Sequence, residues 1–245
     1  MAAVRLALAL QDVAAARSGR TVAGALADPV AWAYVLRDAI ALAEPDLVVA
    51  HVDPALEAGA LAAAVGDGDG DWVDRLLDAP PLGDLAPCAA AVQLVATLAA
   101  LPGLGGRVAA SLSSPGSIAG RLGPLLVPHG FDAEADGEEL ADLVADTLTG
   151  LIAAYAQAGA AMILLPGGAA GDSAALGPLT RSAAHAQVAI ATTPALLSGD
   201  AWAGSVATLT TALEAARAAA GAHGVVLAEV PGTVDVQLLR AARDL

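Results

Sequence analysis

Apolar and polar positions alternate along this chain in a repeating helix-then-strand rhythm. In "DPVAWAYVLRDAIALAEP", Asp28 is placed to cap a helix, Pro29 suits its first position, and Ala33, Leu36, Ile40 and Ala43 recur at helical spacing until Pro45. Leu47–Val52 then runs apolar without alternation, as expected of a strand whose sheet is covered on both faces. Pro54 opens the next helix. The rhythm recurs in "RVAASLS", predicted as a strand over 107–113, followed by a short helix in "SPGSIAGRLG".

The strongest helix is predicted in "GEELADLVADTLTGLIAAYAQAG". Leu140, Leu143, Val144, Leu148, Leu151, Ile152 and Tyr155 form one stripe, with acidic residues at the start and Gly159 at the stop. "AAMILLP" reads as a strand, followed by a helix to about residue 186 and a strand in "VAIATTP". A helix over 201–220, a strand in "GVVLAEV" and a closing helix in "DVQLLRAARDL" complete the order. "VRLALAL" and "GPLLVP" offer further strands. Strands alternating with helices imply parallel βα units. The predicted class is α/β, a (β/α)8 TIM-barrel-like fold or a truncated form of it, in one domain over residues 1–245.

Composition narrows the function classes. The formal net charge of −15 speaks against nucleic acid or an anionic membrane as partner. All 11 basic side chains are arginine, which excludes a Schiff-base lysine or a Walker-type phosphate lysine. Cys88 stands alone, so no intrachain disulfide forms and a cytoplasmic setting is expected. The mean hydropathy of +0.65 draws attention to two uncharged runs, 85–106 and 147–171. Pro87, Pro102 and Gly159 interrupt them and alanine dominates both, so a helix followed by a buried strand explains the second run better than a membrane span.

Candidate chemistry gathers at predicted strand ends. His51 and Asp53 follow one such strand, where α/β folds place their active sites; Asp53 is equally placed to cap the next helix. "SLSSPGS" sets Ser114 and Ser117 where hydroxyls and a helix N-terminus can hold a carboxylate or phosphate. "GDGDGDWVDRLLD" imitates a calcium loop through Asp67, Asp69 and Asp71. Trp72 and Asp78 occupy the positions that require glycine and glutamate, so an acidic loop capped at Asp71 is expected. "PGGAAGD", at 166–172, lacks dinucleotide spacing and reads as a tight turn. His129, His185 and His223 show no metal-ligand spacing.

Three segments together resemble the uroporphyrinogen decarboxylase superfamily, which also holds cobalamin- and zinc-dependent methyltransferases. They are "DPVAWAYVLRDAIALAEPDLVVAHVDPALEAGALAAAVG", "GRVAASLSSPGSIAGRLG" and "ADLVADTLTGLIAAYAQAGAAMILLPGG", covering roughly residues 28–170. The resemblance implies a (β/α)8 barrel, often dimeric, with Asp53 at the position of the family's catalytic aspartate. It has no clear match to the arginine-bearing motif that grips substrate carboxylates, although Arg17 and Arg20 lie nearby, and "VAIATTP" lacks a His-x-Cys zinc pair. The expectation is an enzyme acting on a small organic substrate by a decarboxylase, lyase or methyl-transfer step. Asp53 and His51 would be catalytic and Ser114, Ser117 and Arg20 would bind substrate, with no cofactor or metal. The alternative is a non-catalytic accessory subunit of the same fold. A homodimer or a complex with a partner protein is expected, and neither nucleic acid nor membrane.

Overall fold

The structure, a computed structural model, describes residues 5–66, 71–166, 176–193, 196–197, 202, 206–220 and 224–244. The chain opens with β1 (Arg5–Ala9), α1 (Gln11–Ser18), α2 (Pro29–Ala43) and β2 (Leu47–Val49). Next come α3 (Leu56–Val65), α4 (Trp72–Leu77), α5 (Ala86–Ala100), β3 (Val108–Ser111) and α6 (Pro115–Leu126). The long α7 (Ala133–Gln157) leads to β4 (Met162–Pro166), α8 (Leu176–His185), β5 (Ala189–Thr193) and β6 (Leu196–Leu197). The chain ends with α9 (Val206–Ala220), β7 (Val225–Glu229) and α10 (Val236–Asp244). No helix among the described residues is long and apolar enough to cross a membrane.

Local chemistry sets the boundaries much as the sequence implies. The Asp28 carboxylate accepts from the Ala31 N–H at 3.0 Å, and Pro29 occupies the first turn of α2. Asp71 caps α4 by accepting from the Val73 N–H at 2.9 Å, as its sequence predicts; Asp67 and Asp69 lie outside the described residues. Asp132 caps α7, whose stripe from Leu140 to Tyr155 is buried except for half-buried Leu143, and Gly159 turns the chain with φ 93°. "GPLLVP" does not form a strand. It continues α6 and enters a 3-10 turn at Val127–His129, because Ile118, Leu122 and Leu126 bury one face at helical spacing.

Every pairing in the sheet is parallel, in the order β5-β4-β3-β2-β1-β7-β6. Its two faces differ in what covers them. Leu6, Leu8, Val48, Ala50, Val108 and Ile163 join the helices in one large core. On the opposite face, Ala7, Ala9, Leu47, Val49, Ala109, Met162, Leu164, Val225 and Leu227 form a buried cluster containing no helical residue. Among the described residues no second layer packs on this face, so the sheet itself covers it. Accordingly, β5 lies against β7 although four strands separate them in the order. The sheet is therefore curled and barrel-like. A full (β/α)8 barrel needs eight strands, whereas the described residues supply seven, one of them two residues long. Alanine at positions 7, 9 and 109 keeps the inside narrow enough to pack without aromatic side chains.

Candidate active site

The C-terminal ends of β1, β2 and β3 form the mouth of this curled sheet, and each ends in a polar side chain. The β2 ladder stops at Val49, but the Ala50 N–H still donates to the Ala109 carbonyl at 3.0 Å. Gln11, at the end of β1, then takes over the role of a paired strand. Its Nε2 donates to the Val52 carbonyl at 3.0 Å, and its Oε1 accepts from the Val52 N–H at 3.1 Å. This two-point clamp fixes the backbone between His51 and Asp53.

Beyond the end of the ladder His51 is half-buried, next to Val52, which packs against the inner-face cluster. Both ring nitrogens of His51 are shielded from solvent and have no hydrogen-bond partner among the described residues. Burial pushes its pKa below the ordinary 6.5, opposed by the nearby Asp53 carboxylate. The imidazole is thus neutral at pH 7, with an unoccupied acceptor nitrogen. Asp53 is exposed; its Oδ1 accepts from the Ala55 N–H at 2.9 Å, which supplies the helix-entry role its sequence allows and leaves Oδ2 free of that turn. The helix itself begins at Leu56, two residues beyond Pro54.

Glu57 completes the cluster, and the sequence reading does not single it out. It is only 1% exposed. Its Oε2 lies 3.0 Å from Ser113 Oγ, and its Oε1 accepts from the Ser113 N–H at 3.5 Å. Burial is the largest cause raising its pKa above the ordinary carboxylate range, and Asp53 adds to it. Hydrogen bonds from its own N–H and from Ser113 pull the other way. Behind it, burial and the Glu57 charge push the Cys88 thiol up to about 12, so this cysteine is no nucleophile near neutral pH. Tyr155 is likewise raised, first by burial and then by Glu57 and Cys88.

A signal for Glu57 exists in the sequence. It is the only charged residue in the otherwise apolar helix "LEAGALAAAV", where a lone charge has no polar face to occupy.

The other candidate residues separate from this cluster. Ser114 is 5% exposed and its Oγ accepts from the Ser117 N–H at 3.3 Å, capping α6; Ser117 is exposed in the first turn. Arg20 is exposed and follows α1, whose 8 residues lead about 12 Å away from Gln11. His129 sits in the 3-10 turn after α6, and His185 is exposed at the end of α8. His223 and residues 167–172 lie outside the described residues. Among the described residues, no three His, Cys, Asp or Glu side chains group as metal ligands.

No family model matches the chain, and comparison with curated proteins returns no relative. Among solved structures, a methyltransferase from Methanosarcina mazei is similar, with a TM-score of 0.62 and 12% identity. The match covers 88% of this chain and 85% of that one. At this identity the likeness is one of fold alone.

Proposed function

We propose that this chain is an enzyme that transfers a methyl group between small organic molecules held over the C-terminal ends of β2 and β3. The observation that carries this reading is the neutral His51, whose two enclosed nitrogens have no partner among the described residues, beside the exposed Asp53 carboxylate. A buried polar atom without a partner costs roughly 1–3 kcal/mol, a cost a bound substrate can relieve. His51 takes the proton of an acceptor X–H, and Asp53 stabilises the resulting imidazolium. The freed electron pair on X forms the bond to the methyl carbon, while the donor–methyl bond breaks and its pair leaves with the donor.

The fold likeness to a methyltransferase supports this step over the decarboxylation that the wider sequence resemblance implies. Charge supports it too. From each strand end to the first turn of the next helix, the segments after β1, β2, β3 and β7 contain Asp12, Asp53 and Glu57 among others, but no arginine. A polycarboxylate porphyrinogen would find no fork of donors there. Zinc, which the resemblance implies for methyl transfer to a thiolate, does not fit the donors present, because Cys88 is buried with its thiol held protonated.

Labelled methyl donors of the corrinoid and sulfonium classes, tested with small thiols and amines as acceptors, should yield labelled product. His51→Ala should lower the rate about 10²–10⁴-fold, the usual contribution of a positioned general base. No product from any pairing, or an unchanged rate in the variant, would contradict the proposal. That no metal-donor set forms among the described residues favours a second reading, an accessory subunit of this fold. In that case Asp53→Asn leaves partner capture unchanged.

A further inference from the structure

Ser113 Oγ has one hydrogen and two acceptors within reach. Glu57 Oε2 lies at 3.0 Å and the Pro54 carbonyl at 3.3 Å. With an ionised Glu57, the hydroxyl can satisfy only one of them well. A neutral Glu57 resolves the count: its Oε2–H donates to Ser113 Oγ, and the Ser113 hydroxyl donates onward to the Pro54 carbonyl. Its Oε1 still accepts from the Ser113 N–H. Glu57, only 1% exposed, then keeps both oxygens partnered without burying a charge, while the Pro54 carbonyl lies at the exposed end of the relay.

We propose that Glu57 is a positioning residue that works in its neutral form, holding the Pro54 carbonyl through Ser113 and thereby fixing the Asp53 turn. The inference rests on the role proposed above for Asp53. The turn has few other ties: Asp53 Oδ1 to the Ala55 N–H, and the Leu56 N–H to the Asp53 carbonyl at 3.1 Å. Loss of the Glu57 proton reverses the hydrogen bond between Glu57 and Ser113. The Ser113 hydroxyl then turns to the carboxylate, and the Pro54 carbonyl is released.

The groups facing Glu57 favour the proton. Asp53 on its own loop repels a second negative charge, while Cys88 on α5 and Tyr155 on α7 stay neutral. The neighbouring α6 carries Arg121 and α4 carries Asp74, both exposed; Arg75 of α4 is half-buried, and Asp84 before α5 is exposed. Folded Glu57 holds its proton more tightly than the unfolded chain does. Its contribution to stability is therefore full below the unfolded carboxyl range and declines as pH rises from there to the folded value.

Carboxyl ¹³C NMR of Glu57 and the ¹⁵N shift of Ala55, whose nitrogen is bonded to the Pro54 carbonyl carbon, read both halves of the proposal. In the natural chain the two signals should titrate together, above the ordinary carboxylate range. In Glu57→Gln, whose amide can donate as the acid does, the step in Ala55 that accompanies the Glu57 titration should vanish, leaving only the response to the Asp53 carboxylate that its N–H bonds. In Ser113→Ala that step should vanish too, with Ala55 at the position of the released carbonyl. A Glu57 that titrates near 4.5, or an Ala55 signal that ignores its titration, overturns the proposal. If Glu57→Gln fails to fold, the joint titration in the natural chain still decides. Neither readout needs turnover. A Glu57 that titrates normally leaves the role of Asp53 standing, and an inactive Asp53 site leaves a titrating Glu57 standing.

Discussion

Asp46 and Asp53 flank the same short strand, β2, and do opposite work. Asp46, at the N-terminal end, accepts from the Leu6 N–H at 3.0 Å and stitches β2 to β1. Beside it, the Arg107 guanidinium bonds the Pro45 carbonyl, so that end of the sheet closes on its own backbone. Asp53, at the C-terminal end, spends one oxygen on its own turn, and the neighbouring His51 nitrogens bond nothing among the described residues. One end of the strand has its polar groups paired and the other leaves them open. In a parallel barrel-like sheet, the paired end serves stability and the open end is where a ligand can be met.

Substitutions can sharpen that contrast. The largest loss of stability is expected between the two ends, at Leu164, fully buried on the inner face in register with Ser111 and Ala191. Leu164→Ala should cost about 2–5 kcal/mol in chemical denaturation, because among the described residues no second layer stands ready to collapse into the gap. Gln11→Ala comes next. It orphans both the Val52 N–H and its carbonyl, and should cost about 1–3 kcal/mol while also loosening the His51–Asp53 segment, read as reduced turnover. Asp46→Ala should cost only about 0.5–1.5 kcal/mol and leave turnover unchanged. A turnover loss in Asp46→Ala equal to that in Gln11→Ala would erase the distinction between the ends.

Much of the fold is legible in the sequence because periodicity and caps report local physics. Asp28, Asp71, Gly159 and the α7 stripe act as their spacing implies. "GPLLVP" misleads because a short apolar run with proline carries no clear period, and burial of Leu122 and Leu126 alongside Ile118 decides for helix. His51 and Asp53 could be placed just beyond a strand end because that strand is apolar and ends abruptly. Glu57 and Gln11 could not be assigned, because their partners, Ser113 and Val52, lie 56 and 41 residues away in sequence. Only the fold brings those pairs together. Ser114 was legible as a polar residue at a helix start, yet the hydroxyl that reaches the cluster is that of Ser113.

The most direct test of the open mouth is native mass spectrometry of the gently purified natural chain beside Asp53→Asn and Asp46→Asn. The account predicts a small molecule carried by the natural chain and by Asp46→Asn, and lost from Asp53→Asn. A second protein chain carried equally by all three, with no small molecule, would contradict it.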